Sequence, residues 1–235
     1  MGERNLPPIH DAVRLWVGGD EQATLRACMR YRQKQRPGWS LSWLRESVSR
    51  VFSGKLSKSA IKVAVRTNVP ADSRKSVWQA VVLLLSYVKK WNWEGVELSG
   101  RDVPVGRDCT VHIRPFGKFF SGRRKAKCLL ALQPRLDSQP DYEQFRIWRS
   151  ALHYEFCCDP LEPLEAIIID LARDPHTNRR RLRELGPTVL PLLDKAELDQ
   201  RLDLVATCYL RAVELVPELP ARRPKVKESD QGQLL

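Results

Sequence analysis

From position 77 to 88 the chain is apolar on almost every side of a helical wheel, with only Gln79 and Ser86 as polar interruptions. A helix without a polar face has to be buried all round. This segment, with a helix start at residues 70–72, is therefore expected to form the centre of the fold, with other helices packed around it. Its purely apolar run, 80–85, is followed by Ser86 and closed by Lys89 and Lys90. That is far short of the about 20 residues that a membrane span needs. Residues 1–6 lead into two prolines rather than an apolar signal region, so the sequence reads as soluble and cytoplasmic.

Periodicity and punctuation predict the neighbours of that helix. A helix over 21–35 is stopped by Pro37-Gly38, because proline cannot continue the hydrogen-bond ladder and glycine favours a turn. Helices over 40–52 and 57–66 are joined by Ser53-Gly54-Lys55-Leu56. Each carries an apolar stripe, Leu44, Val48, Val51 and Phe52 in one and Ala60, Ile61, Ala64 and Val65 in the other. Further helices are expected over 142–157, 161–173 and 196–216. Between them, Cys109, Val111 and Ile113 alternate with Thr110, His112 and Arg114, a strand pattern. A loop over 117–122 and a returning strand over 128–132 complete a β-hairpin with a long tip.

The expected fold class is thus mainly α (α+β), a multi-helical domain with one inserted β-hairpin. Its regions are a basic helical part (1–99), a basic hairpin (100–140), a C-terminal helical part (141–216) and a tail (217–235) whose Pro, Lys, Glu and Gln content reads as disordered.

Charge narrows the function. The chain has a formal net charge of +12, and it is unevenly placed. Residues 1–140 hold 26 Lys and Arg against 11 Asp and Glu, whereas 141–235 hold 14 against 17. A basic front half points to an anionic partner, of which nucleic acid is the commonest. Arg26, Arg30 and Lys34 recur every four residues, as do Lys58, Lys62 and Arg66, so each trio shares one helix face. Like charges stacked in this way repel by a few tenths of a kcal/mol per pair, a cost that a bound anion offsets. With Lys55 in the turn, helices 40–52 and 57–66 also admit a helix-turn-helix reading over 40–66. Lysine holds phosphate better than it reads bases, and only Arg66 and Asn68 are obvious base readers here.

The hairpin tip adds Lys118, Arg123, Arg124, Lys125 and Lys127 around Phe119 and Phe120. Aromatic faces stack on unpaired bases while cations hold the backbone. The phenylalanines could equally close the core under the loop. Arg179-Arg180-Arg181-Leu-Arg183 is either a phosphate clamp or a set of partners for acids of the C-terminal half, such as Glu184, Asp194 and Glu197. The second reading is preferred. Seven tryptophans are present, of which Trp39 and Trp43 fall in the basic region.

Catalytic signatures are sparse. No G-x-x-x-x-G-K-[ST] and no G-x-S-x-G string occurs. The six cysteines form no C-x-x-C pair, which disfavours structural zinc, and they are expected to be reduced and buried. No cofactor and no metal are expected. Carboxylates at 155, 159, 162, 165 and 170 lack a lysine partner for a metal-dependent nuclease. His112 with Arg114 and Lys118 is the one arrangement compatible with a metal-independent ribonuclease. The leading expectation is a non-catalytic nucleic-acid-binding protein, DNA or RNA, with the C-terminal helices serving a homodimer or a protein partner. The alternative is a protein-interaction subunit of a larger assembly, ribonucleoprotein included.

Overall fold

The computed structural model describes residues 4–33, 50, 57–91, 93–123, 125–133, 139–160, 162, 164–172, 174, 177 and 179–216. Two sheets organise them. The larger has five strands in the order β2-β5-β6-β7-β8: β2 (Trp93–Val96), β5 (Gly117–Ser121), β6 (Ala126–Gln133), β7 (Glu165–Asp170) and β8 (Arg183–Leu185). The smaller is β1-β4-β3: β1 (Arg4–Asn5), β4 (Cys109–Ile113) and β3 (Arg101–Val105). This corrects the expected multi-helical domain with one hairpin. The molecule is α+β, built on a mixed sheet.

The centre is the parallel pair β6 and β7, not the 77–88 helix. Cys128 of β6 sits opposite Glu165 of β7, and the register runs on to Gln133 opposite Asp170. Both strands are buried on both faces over most of their length. Parallel strands covered on both sides read as unbroken apolar runs, as Cys128 to Leu132 and Ala166 to Ile169 do. The 161–173 helix is overturned for this reason. Ile167, Ile168 and Ile169 are β-branched residues with each face against a different layer, and burying each contributes about 1.5–3 kcal/mol.

On one face, Cys128, Leu130, Leu132, Ile167 and Ile169 pack with helices α3 (Lys58–Asn68) and α4 (Ala71–Trp91). On the other, Leu129, Ala131, Ala166 and Ile168 pack with α1 (Ile9–Ala12), α2 (Glu21–Gln33), α5 (Tyr142–Phe156), α6 (Lys195–Leu215) and the small sheet. The apolar α4 therefore lies in an outer layer. Val77, Ala80, Val81, Leu84 and Tyr87 are buried, while Trp78, Leu83, Leu85 and Val88 are half-buried. Among the described residues no helix is long and apolar enough to cross a membrane.

Local chemistry starts the helices where the sequence places them. Helix α5 begins at a capping box, in which Asp141 accepts from the Gln144 amide and Gln144 returns the bond to the Asp141 amide. Asp194 caps α6 through the Glu197 amide, and Ser57 caps α3 through the Ala60 amide. Each such cap stabilises its helix by about 1 kcal/mol.

The expected 109–132 hairpin is also replaced. β4 pairs with β3, β5 pairs with β6, and the two hairpins belong to different sheets. Residues 117–121, expected as loop, are the strand β5. Gly95 and Gly117 let the Phe119 ring lie against the backbone, since a Cβ at either position would fall within 3 Å of that ring.

Candidate nucleic-acid interface

Helix α3 sorts its residues as the sequence implies. Ile61 and Val65 are buried against α4 together with Val69. Lys58, Lys62 and Arg66 are exposed along the flank of the helix beside that buried stripe. Among the described residues no carboxylate pairs with any of the three. Asn68, an expected base reader, turns its amide back to donate to the Ala64 carbonyl at 3.0 Å. Lys75, on the first turns of α4, is a further exposed cation without a carboxylate partner among the described residues. It belongs to neither basic stripe, and its signal in the sequence is its place opposite the Val77-Ala80-Val81 stripe. Lys34, Lys55, Arg124 and, apart from Arg50, the 40–52 half of the helix-turn-helix reading lie outside the described residues.

The two basic stripes do not share a surface. Arg26 and Arg30 are exposed on α2, whose Leu25 and Cys28 belong to the core on the other side of the large sheet from α3. Their neighbour Arg32 is drawn inward, donating to the Val216 carbonyl at 2.8 Å and lying over the Tyr209 ring.

The β5–β6 hairpin divides its cations in two. Lys118 and Lys127 both bind Glu162, Lys127 at 3.1 Å. These two hydrogen bonds hold the Glu162 carboxyl below the usual carboxylate range. Arg123 and Lys125, at the turn, are exposed and unpaired among the described residues. The phenylalanines part in the same way. Phe119 is 2% exposed and stacks on Phe116, so it is core, whereas Phe120 faces outward.

The arginines at 180–183 are consumed internally. Arg180 donates to the Leu171 carbonyl and to Ser76, Arg181 pairs with Asp174, and Arg183 pairs with Asp170. Pairing with acids describes Arg181 and Arg183, though the acids are not those named from sequence, and Arg179 is exposed; Glu184 instead accepts from the Tyr87 hydroxyl. Asp170 is fully buried, also accepting from the Ala172 amide and the Gln139 side chain. Burial raises its pKa against the opposing pull of Arg183. Its register partner Gln133 is fully buried too, with neither side-chain amide atom hydrogen-bonded among the described residues.

The trio His112, Arg114 and Lys118 is not assembled. His112 Nδ1 lies 2.7 Å from Asp102 across the β3–β4 hairpin and Arg114 pairs with Glu97, while Lys118 is in the other sheet with Glu162. The carboxylates at 155–170 are dispersed, and among the described residues no three His, Cys, Asp or Glu side chains converge as a metal-ligand set. Five cysteines are buried and Cys158 is exposed. Burial pushes the Cys28 and Cys157 thiols up to about 12, which removes them as nucleophiles. Trp16, Trp93 and Trp148 are core residues, Trp78 and Trp91 are half-buried, and Trp39 and Trp43 lie outside the described residues.

No protein-family model and no curated protein matches the chain. Among solved structures it is similar to one described as "Crystal structure of SSO0001", with 12% identity and a TM-score of 0.35 over 78% of this chain and 83% of that one. A likeness at that level carries no argument about function.

Proposed function

We propose that the protein binds nucleic acid without acting chemically on it, holding the phosphate backbone on the outer face of α3. The observation that supports this reading most is that Lys58, Lys62 and Arg66 are all exposed, on one face, with no carboxylate neutralising them among the described residues. Four residues of helix advance about 6 Å, so the trio forms a short rigid row of positive charge. Its like-charge repulsion is relieved when counterions on a nucleic acid give way to these side chains. With Asn68 committed to its own helix, the face carries little apparatus for reading bases, and binding tolerant of sequence is expected. Unbridged cysteines fit a reducing, cytoplasmic setting.

The competing reading, docking to a protein through the C-terminal helices, has less surface to draw on. Leu198, Leu202, Val205 and Tyr209 of α6, with Phe145, Ile147 and Leu152 of α5, are spent in the chain's own core. From 142 to 216, Tyr142, Val189 and Leu215 are the exposed large apolar side chains among the described residues.

Fluorescence anisotropy with labelled duplex DNA, single-stranded DNA and RNA over a range of salt tests the proposal. The wild-type affinity should fall steeply with salt. Lys58→Gln/Lys62→Gln should weaken binding to every probe and reduce the slope of log K against log salt by about 2, near 0.9 for each duplex phosphate no longer neutralised. Absence of binding at low salt, or an unchanged slope in the double variant, would sink the reading.

A further inference from the structure

A second surface extends the nucleic-acid reading and rests on it. On β2 and β5, side chains alternate between the two sheet faces. Trp93 and Phe119 enter the core shared with α4, which leaves Glu94, Val96, Lys118 and Phe120 on the opposite face. There, helix α5 and its neighbours cover β6 and β7 through Leu129, Ala131, Ala166 and Ile168. They leave the β2–β5 side open, and Val96 and Phe120 stand 61% and 46% exposed. Phe120 sits directly between Glu94 and Lys127 in the strand register. No aromatic or cationic partner stacks on its ring among the described residues.

A large aromatic exposed in mid-strand normally costs the chain the benefit of burial. Around this one the charge is mostly positive. Lys127 and Lys118 flank it, sharing the single carboxylate of Glu162. Arg123 and Lys125 stand unpaired among the described residues at the adjoining turn, where Lys125 takes a left-handed φ of 50° that brings its amide back to the Ser121 carbonyl. Glu94, opposite the ring in the register, and Glu162 contribute acids to this patch. An apolar ring amid an excess of cations suits a ligand with a flat apolar face and a polyanionic backbone. An acidic protein would satisfy the cations but has no systematic use for an exposed ring. A duplex would satisfy the cations and hide its base faces in the stack.

We infer that this open sheet face is a docking site for single-stranded nucleic acid. One unpaired base stacks on Phe120 against Val96, while its phosphates lie along Lys127, Arg123 and Lys125. The α3 face holds backbone of any form; the sheet face selects the unpaired strand.

The full-length chain would be titrated against labelled oligo(dT), oligo(U) and a duplex at several salt concentrations, with thermal melts confirming that each variant is folded. Phe120→Ala should weaken binding of both single strands by about tenfold, leave duplex affinity unchanged and keep the salt slope, because stacking releases no counterions. Phe120→Tyr should restore the lost affinity. Wild-type binding of single strands with no loss in Phe120→Ala would overturn the stacking site and leave the α3 reading standing. Equal loss on duplex, or no recovery in Phe120→Tyr, would also overturn it, since either marks a structural role. If the wild type binds none of the three probes, both proposals fall together.

Discussion

Two arginine- and lysine-rich regions look alike in the sequence and behave in opposite ways in the structure. On α3, Lys58, Lys62 and Arg66 project from the outermost layer, where no acid reaches them among the described residues. At the ends of β7 and β8, Arg183 is tied to the buried Asp170, with Arg180 and Arg181 bonded beside it. The first set is charge available to a ligand. The second set is structural, because a carboxylate taken out of water needs a matching charge and a full complement of hydrogen bonds. Net charge therefore overstates the binding surface, and the sheet edge decides which cations count.

The contrast can be broken most decisively at Arg183. Arg183→Met leaves Asp170 buried without its cation, and we expect a loss of about 3 kcal/mol in urea unfolding, with nucleic-acid affinity retained under folding conditions. The pH dependence follows from the raised Asp170 pKa. The native carboxyl holds its proton more tightly than the unfolded one, so this group costs stability as pH rises from the ordinary value of 3.8 through the folded value. The Arg183→Met penalty should thus shrink as pH falls, and Asp170→Asn in the same chain should recover most of it. A penalty independent of pH would show that packing, not charge, is lost.

A smaller effect is expected beside it. Gln133 carries a buried amide without a partner among the described residues, and such a group costs about 1–3 kcal/mol. Gln133→Met, close in shape and without polar atoms to desolvate, should raise stability by about 1 kcal/mol. A destabilised variant would indicate that the amide has a partner after all. The mildest test converts structural cations into available ones. Glu162→Gln releases Lys118 and Lys127 from their shared carboxylate, and single-strand affinity should rise about threefold at low salt, fading as salt screens the added charge. An unchanged affinity would mean that these lysines do not face the ligand.

Much of the helical framework was legible. Helices α5 and α6 differ from their expected bounds by at most one residue at either end, because an acidic N-cap and a period of 3.6 are local signals. The inward and outward sides of α3 were legible for the same reason. The 161–173 segment was not. A run such as Glu165–Asp170 is too short and too uniformly apolar for period to separate strand from helix, and what makes it a strand is its pairing with β6, which lies well before it in the chain. β5 was missed because its glycine looks like part of a loop, whereas Gly95 and Gly117 serve to seat Phe119. At the site, the exposure of the α3 cations followed from periodicity, while the neutralisation of Lys118 and Lys127 depended on a distant glutamate that no local pattern announces.

The starts of α5 and α6, the apolar side of α3 and the concentration of positive charge were all settled along the chain, since each depends on neighbours within a turn or two. Only the tertiary structure decided that β6 and β7, not α4, form the centre, that α2 and α3 lie on opposite sides of the sheet, and that Phe119 is core while Phe120 is exposed. Those outcomes turn on non-local strand pairing, and one-residue alternation along a strand sends adjacent side chains to opposite faces.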